Sequence, residues 1–276
     1  MRYNNGGSPE TVNAILNYFF EKKLPMNHII DRKHDTVKHY TDPSVTAFKL
    51  NMPVYVLIGK RTFSAAEDFT YAMKIAKRAT IVGDTTGGGA HPTGPAPLGQ
   101  GFVLNIPNAR SYHEVTGTNW EGIGVYPDVY LKGEQALEKA QLLFFKDLLT
   151  KTSNNQEKQQ VQCQITVVEN KLALMQSGSM NFTNAELQKF CGEYKPMPGP
   201  GAAPNSIIIL IKGNNLFRNI PFPPDWKLIP ITNTRFVYDN DDANRYMDFT
   251  LDKEGNPSGL TIYYADSRTF SYERVK

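Results

Sequence analysis

Apolar and polar positions divide the chain into two stretches of different character. In the first, short apolar runs alternate with segments of helical spacing. Pro53-Val-Tyr-Val-Leu-Ile58 is apolar on both faces, as in a strand covered on both sides, and Ala79-Thr-Ile-Val82 is a second such run. Residues 65–77 between them have helical spacing, which predicts a β-α-β unit with a right-handed crossover. Further upstream, Ser8-Pro9-Glu10 reads as a helix start, with serine at the N-cap, proline at the first position and a carboxylate in the first turn. Val12, Ile15, Leu16, Phe19 and Phe20 then fall on one face. Gly6-Gly7, just before this helix, resembles the turn that leaves a parallel strand, yet only MRYNN precedes it, so the chain is expected to begin in the middle of a fold. Phe102–Ile106 and Gly124–Tyr126 are further strand candidates, GDTTGGGAHPTGP is a long loop, and 135–149 is an amphipathic closing helix. Residues 1–150 are therefore expected to form an α/β domain.

The second stretch opens with the polar NNQEKQQ. Val161, Ile165, Val168, Leu172 and Met175 then recur at helical spacing, which predicts a connecting helix within a linker at 151–180. Thr183-Asn-Ala-Glu186 has the form of a capping box, and PMPGPGAAPN after it reads as a loop. From Ser206 onward, strand-like runs (SIIILIK, LFRNI, WKLIPI, TRFVYD, YMDFTLD, LTIYYA, FSYERV) are separated by turn signals. Residues 181–276 are thus expected to be a small antiparallel β-domain, a curled sheet or barrel, with no catalytic constellation of its own.

Composition narrows the function only a little. Hydrophobic residues make up 40% and charged residues 21%, and the formal net charge is +3, with both signs intermixed. That balance argues against a nucleic-acid partner. The longest aliphatic run, Ile207–Ile211, is far short of the roughly 20 residues of a membrane helix. MRYNNGGSPE contains no apolar leader segment. Cys163 and Cys191 form no CxxC pair, so no metal and no cofactor are expected, and their spacing leaves free thiols or one disulfide open.

The chemistry turns on Ser64. Ser64-Ala-Ala-Glu67 fits a capping box, which explains the serine without any reaction. A serine at the carboxyl end of a parallel strand, opening the next helix, also stands where open α/β sheets place their ligands, beside amides suited to a developing oxyanion. Both readings stand on spacing alone. Four motifs in order, RYNNGG, PVYVLIGKRTFSAAEDF, RATIVGDTTGGGAHP and TNWEGIGVYPDV, resemble the C-terminal processing (tail-specific) serine peptidases. The branch is the one related to tricorn protease and the interphotoreceptor retinoid-binding protein, and the likeness covers about residues 1–150.

The resemblance implies a ClpP/crotonase-like core and a serine endopeptidase that forms an acyl-enzyme on Ser64. The Ala65 amide and the Gly6-Gly7 turn would form the oxyanion hole. Glu121 would orient the catalytic base through an intervening hydroxyl. One branch of the family takes a lysine as base from the glycine-rich loop, but that position is Gly89 here. The tricorn-like branch takes a histidine from a segment upstream of RYNNGG. The chain is therefore expected to be a truncated, weak or inactive form of a longer exported enzyme, periplasmic, cell-envelope or secreted, acting on polypeptide. Of the histidines, His28, His34 and His39 read as solvated, and His91 is the one whose loop should approach Ser64, as base, substrate contact or loop-fixing residue. A rival reading is a binding module for an apolar ligand, with Tyr18, Phe19, Phe20, Phe63 and Phe69 lining its pocket. The β-domain more weakly resembles small domains appended to bacterial serine hydrolases, through FCGEY, NNLF and DKEGNPSGLTIYY, and would either pack on the core or bind substrate or envelope sugar. The oligomeric state is left open.

Overall fold

The computed structural model describes residues 1–176, 180–199, 201–219, 224–239 and 243–275, so the end of the expected linker, 177–179, lies outside the described residues. The chain forms two compact units, Met1–Ala140 and Gln141–Lys276. The first contains α1 (Pro9–Leu16), β1 (Asn27–Asp31), β2 (Thr36–Val37), β3 (Tyr55–Ile58), α2 (Ala65–Ile75), β4 (Thr80–Gly83), β5 (Thr93–Gly99), β6 (Phe102–Pro107), β7 (Ala109–His113) and β8 (Val129–Tyr130). α3 (Ala136–Lys151) runs across the division. The second unit adds α4 (Asn155–Gln176), α5 (Asn184–Gln188), β9 (Gly192–Pro196), β10 (Ile207–Lys212), β11 (Asn215–Asn219), β12 (Trp226–Pro230), β13 (Arg235–Tyr238), β14 (Arg245–Leu251), β15 (Pro257–Tyr264) and β16 (Thr269–Arg274).

The expected β-α-β unit is present: β3 and β4 pair in parallel, Tyr55 opposite Thr80, and β8 continues the sheet beside β4. Under it, Val56, Ile58 and Ile81 pack with Phe69, Ala72 and Met73 of α2 and with Val12 and Leu16 of α1. α1 starts as expected, with the Ser8 hydroxyl accepting from Thr11 N–H at 3.3 Å. It stops at Leu16, because the following residues turn: Tyr18 and Phe19 N–H bond back to Ile15 and Leu16 at 3.1 and 2.9 Å. Phe20 is buried beyond that turn, while Ile15 faces solvent.

Three expectations about strands need correction. Gly124–Tyr126 is not a strand; Gly124 N–H bonds to Trp120 O at 2.9 Å and Gly124 takes a φ of +74°, so the chain is still turning there and enters the sheet only at Val129. The long loop after Gly83 is shorter than expected, since β5 forms a hairpin with β6 despite two prolines. A two-stranded ribbon tolerates them because an N–H on its open side has no ladder bond to lose. β1 and β7 also pair, antiparallel, Asn27 opposite His113. His28 on β1 is therefore buried rather than solvated, as is His113.

In the second unit, β9 to β16 close into an antiparallel eight-stranded barrel in which β9 joins β10 to β16. β9, GEYKP, lies just ahead of the expected PMPGPGAAPN loop and shares Pro196 with it. Tyr194, Ile209, Leu216, Leu228, Phe236, Met247, Leu260 and Ile262 fill the interior. α4 packs Ile165, Val168 and Leu172 against Leu142 of α3, and its Gln164 side chain donates to Ala265 O at 3.4 Å on the barrel. Both cysteines are free. Among the described residues, no helix is long and apolar enough to cross a membrane.

Candidate active site

Ser64 stands at the carboxyl end of β3's connection, directly before α2. Its φ is +53° and ψ −124°, a region that L-residues with side chains rarely occupy. Glu67 N–H bonds to the Ser64 carbonyl at 2.8 Å, and the Glu67 carboxylate accepts from Ser64 N–H at 2.9 Å. The hydroxyl itself makes no cap hydrogen bond, although the pair has the outline of a capping box. Ser64 at this strained turn lines the cleft beside α2.

RYNNGG packs against this turn. Phe63 N–H donates to Asn4 O at 3.1 Å, and Thr62 Oγ1 donates to Met1 O at 2.9 Å. Gly6, at φ +104°, lies so close that a Cβ on it would stand 2.7 Å from the Ser64 Cβ and 2.9 Å from Ala65 N. Only glycine fits that contact. Gly6 N–H is taken by the Asn4 side chain at 2.9 Å. Among the described residues, the N–H groups of Gly7 and Ala65 have no acceptor. Gly7, Ser64 and Ala65 line one cleft of about 260 Å³, together with Asp68, Gly89 and Ser111 among others.

Glu67 organises the site, a role its sequence position disguised as simple capping. Its carboxylate is fully buried and accepts from four donors: Ser64 N–H, Thr86 Oγ1 at 2.5 Å, Gly88 N–H at 2.7 Å and Gly89 N–H at 2.9 Å. It thereby ties the glycine-rich loop to the serine turn. A Cβ on Gly89 would fall 2.2 Å from the Phe63 ring, so that ring occupies the space a side chain at position 89 would need.

Glu121 and His91 stand outside the cleft lining. Glu121 Oε2 accepts from Ala90 N–H at 2.6 Å and His91 N–H at 3.1 Å, and His91 Nδ1 lies 3.9 Å from it. Glu121 therefore holds the Ala90–His91 backbone, whose Ala90 O accepts from Ser111 Oγ at 2.7 Å inside the cleft. The five aromatics do not converge on one cavity: Phe20 and Phe69 are buried, Phe19 meets Phe69 edge-on, and Tyr18 and Phe63 are exposed.

Asp68 was not singled out by sequence. It follows Ser64 by four residues, the spacing that puts two side chains on one helical face. The Asn27 side chain on β1 donates to its carboxylate. Burial pushes the Asp68 carboxyl up to about 6, against the opposing pull of Asn27 and of His39 nearby. Burial likewise lowers the His113 imidazole, helped by His28 and partly opposed by Glu114. No group of three or more His, Cys, Asp or Glu side chains among the described residues is arranged to hold a metal.

Residues 1–131 match the sequence model of Peptidase family S41. Over 132 residues the chain is 28% identical to a carboxy-terminal-processing protease of Bartonella bacilliformis, covering 48% of this chain and 30% of that protein. Over 106 residues it is 31% identical to carboxy-terminal processing protease CtpB of Bacillus subtilis, covering 38% and 22%. The chain thus spans less than a third of the curated relatives it matches. The solved photosystem II D1 C-terminal processing protease aligns with 48% of this chain and 33% of its own at 26% identity, with a TM-score of 0.42, a likeness too loose to carry an argument.

Proposed function

We propose, from the match of residues 1–131 to peptidase family S41, that the chain is a member of that family and that Ser64 is the nucleophile of a serine endopeptidase acting on polypeptide. The observation that supports it most is the turn itself, a non-glycine residue held at positive φ with its hydroxyl uncommitted to the helix. Strain of this kind persists where a reactive group must be presented at the top of a sheet. Ser64 Oγ would attack the scissile carbonyl, losing its proton to a base, and the carbonyl oxygen would take its charge between the N–H groups of Gly7 and Ala65. Gly6 serves as the spacer that admits this approach. The amine then leaves with a proton, and water releases the acyl group.

Among the described residues that line the cleft there is no histidine and no lysine. From the likeness to the tricorn-related peptidases we infer that the base is a histidine, and that Glu121 acts on it indirectly, through the loop it holds. Without that base, acylation would keep only the roughly 10³ to 10⁴-fold advantage over water that binding and the oxyanion site provide. A ClpP/crotonase-like core and action outside the cytoplasm belong to the same reading. Fluorophosphonate labelling followed by intact-mass analysis tests it. A single adduct that maps to Ser64 and vanishes in Ser64→Ala is expected, formed slowly where the base is lacking; an adduct that survives that substitution would refute it.

A further inference from the structure

The cleft beside Ser64 contains one charged side chain among those lining it, Asp68. We propose that Asp68 is a specificity residue, the acceptor for a cationic side chain, ammonium or guanidinium, on the polypeptide residue next to the bond that Ser64 attacks. This rests on reading Ser64 as the nucleophile. Among the described residues no lysine or arginine pairs with Asp68. Its direct partner is the Asn27 carboxamide, and that group is itself left short. Asn27 is 2% exposed, its Nδ2 donates to Asp68, and its Oδ1 is buried with no hydrogen-bond partner.

An acid and a primary amide complete a two-bond ring only when the acid carries its proton, so that the acid O–H reaches the amide oxygen. The orphaned Asn27 Oδ1 therefore completes its bonding when Asp68 is neutral. Once Asp68 ionises, it has no proton to offer and Asn27 Oδ1 stays unpaired. A cation entering the cleft supplies the missing counter-charge to the carboxylate. A cleft of about 260 Å³ is below the roughly 300–1,000 Å³ of a drug-sized pocket and accommodates one side chain. The other groups around Asp68 leave this role to it. Glu67, its neighbour on α2, is turned to the glycine loop. His39 Nδ1–H donates to Asn27 O, 3.0 Å away. His28 pairs with Glu114 at 3.3 Å, and His113 lies against Tyr71.

The test uses the full chain and two diphenyl phosphonate probes that differ only in side chain, lysine-type and norleucine-type. Unreactive N-acetyl amides of the same two amino acids are followed in parallel by the shift of the Ala65 amide signal. The lysine-type phosphonate should label Ser64 at least tenfold faster at pH 7.5, with the preference falling toward parity at pH 5. Its amide should bind correspondingly better. Asp68→Asn, an isostere that keeps the Asn27 contact, should erase both preferences without lowering Tm. Equal response to the two side chains at pH 7.5, or a preference that survives Asp68→Asn, overturns the proposal. If neither phosphonate labels Ser64 while the amides still discriminate, the specificity site stands and the nucleophile reading falls.

Discussion

Ser64 and Asp68 show how a single turn of helix can hold two chemically opposed groups. The serine is exposed by a backbone conformation that its neighbours over-determine: Gly6 packs on its Cβ, and Glu67 fixes its N–H. The aspartate is set into the cleft wall, where burial favours its neutral form. This has a consequence for stability. A carboxyl raised in the folded state contributes fully below its unfolded value near 4, and that contribution is lost as pH rises through about 6. Asp68→Asn keeps a neutral partner for Asn27 at every pH and offers its own amide hydrogen to the orphaned oxygen. The variant should therefore match the parent near pH 3.5 and exceed it by roughly 3 kcal/mol at pH 7.5. Urea denaturation at the two values measures the difference. A constant offset between the two proteins across that range would show that Asp68 binds its proton equally well folded and unfolded, against a raised carboxyl.

At the scale of elements, the site is assembled by one buried carboxylate. Glu67 gathers donors from the serine turn and from Thr86, Gly88 and Gly89, so α2 and the glycine loop move as one body. In Glu67→Gln one of the two oxygens becomes an NH2 facing donors, which cannot be satisfied. A loss of about 2–4 kcal/mol is expected from the unpaired buried donors, together with rapid amide exchange at Gly88 and Gly89. Hydrogen exchange by NMR reads the second effect, and unchanged protection at those two amides would refute the clip. A surface ion pair such as Lys151 with Asp147, by contrast, should be nearly silent on removal.

At the scale of the molecule, the chain divides at Ala140 and Gln141, and each unit has its own core. The barrel closes every strand edge through β9, and the bidentate pair of Arg235 and Asp248 at 2.7 Å joins β13 to β14. Closure leaves no edge to template aggregation. Residues 141–276 expressed alone should unfold in one cooperative transition. Phe236→Ala, at a fully buried interior position, should cost that fragment about 3–5 kcal/mol. A fragment without a cooperative transition would show that the barrel depends on the rest of the chain.

Periodicity alone was enough for β3, α2, β4, the helix of 155–176 and most barrel strands, because each buries a face whose spacing is written locally. That Ser64 opens a helix after a strand was likewise legible, while the roles given to Ser64, Gly6, Gly7 and Ala65 came from the resemblance to the tail-specific peptidases and not from spacing. Tertiary structure decided the rest. β9, β1 and β7 have little apolar period of their own and become strands because a neighbouring edge supplies their hydrogen bonds. His28 is buried by β7, which lies far from it in sequence. Asp68 acquires its raised proton affinity from burial, against the pull of Asn27, 41 residues away, and a carboxyl's proton affinity follows from what the fold packs around it rather than from its place in the chain.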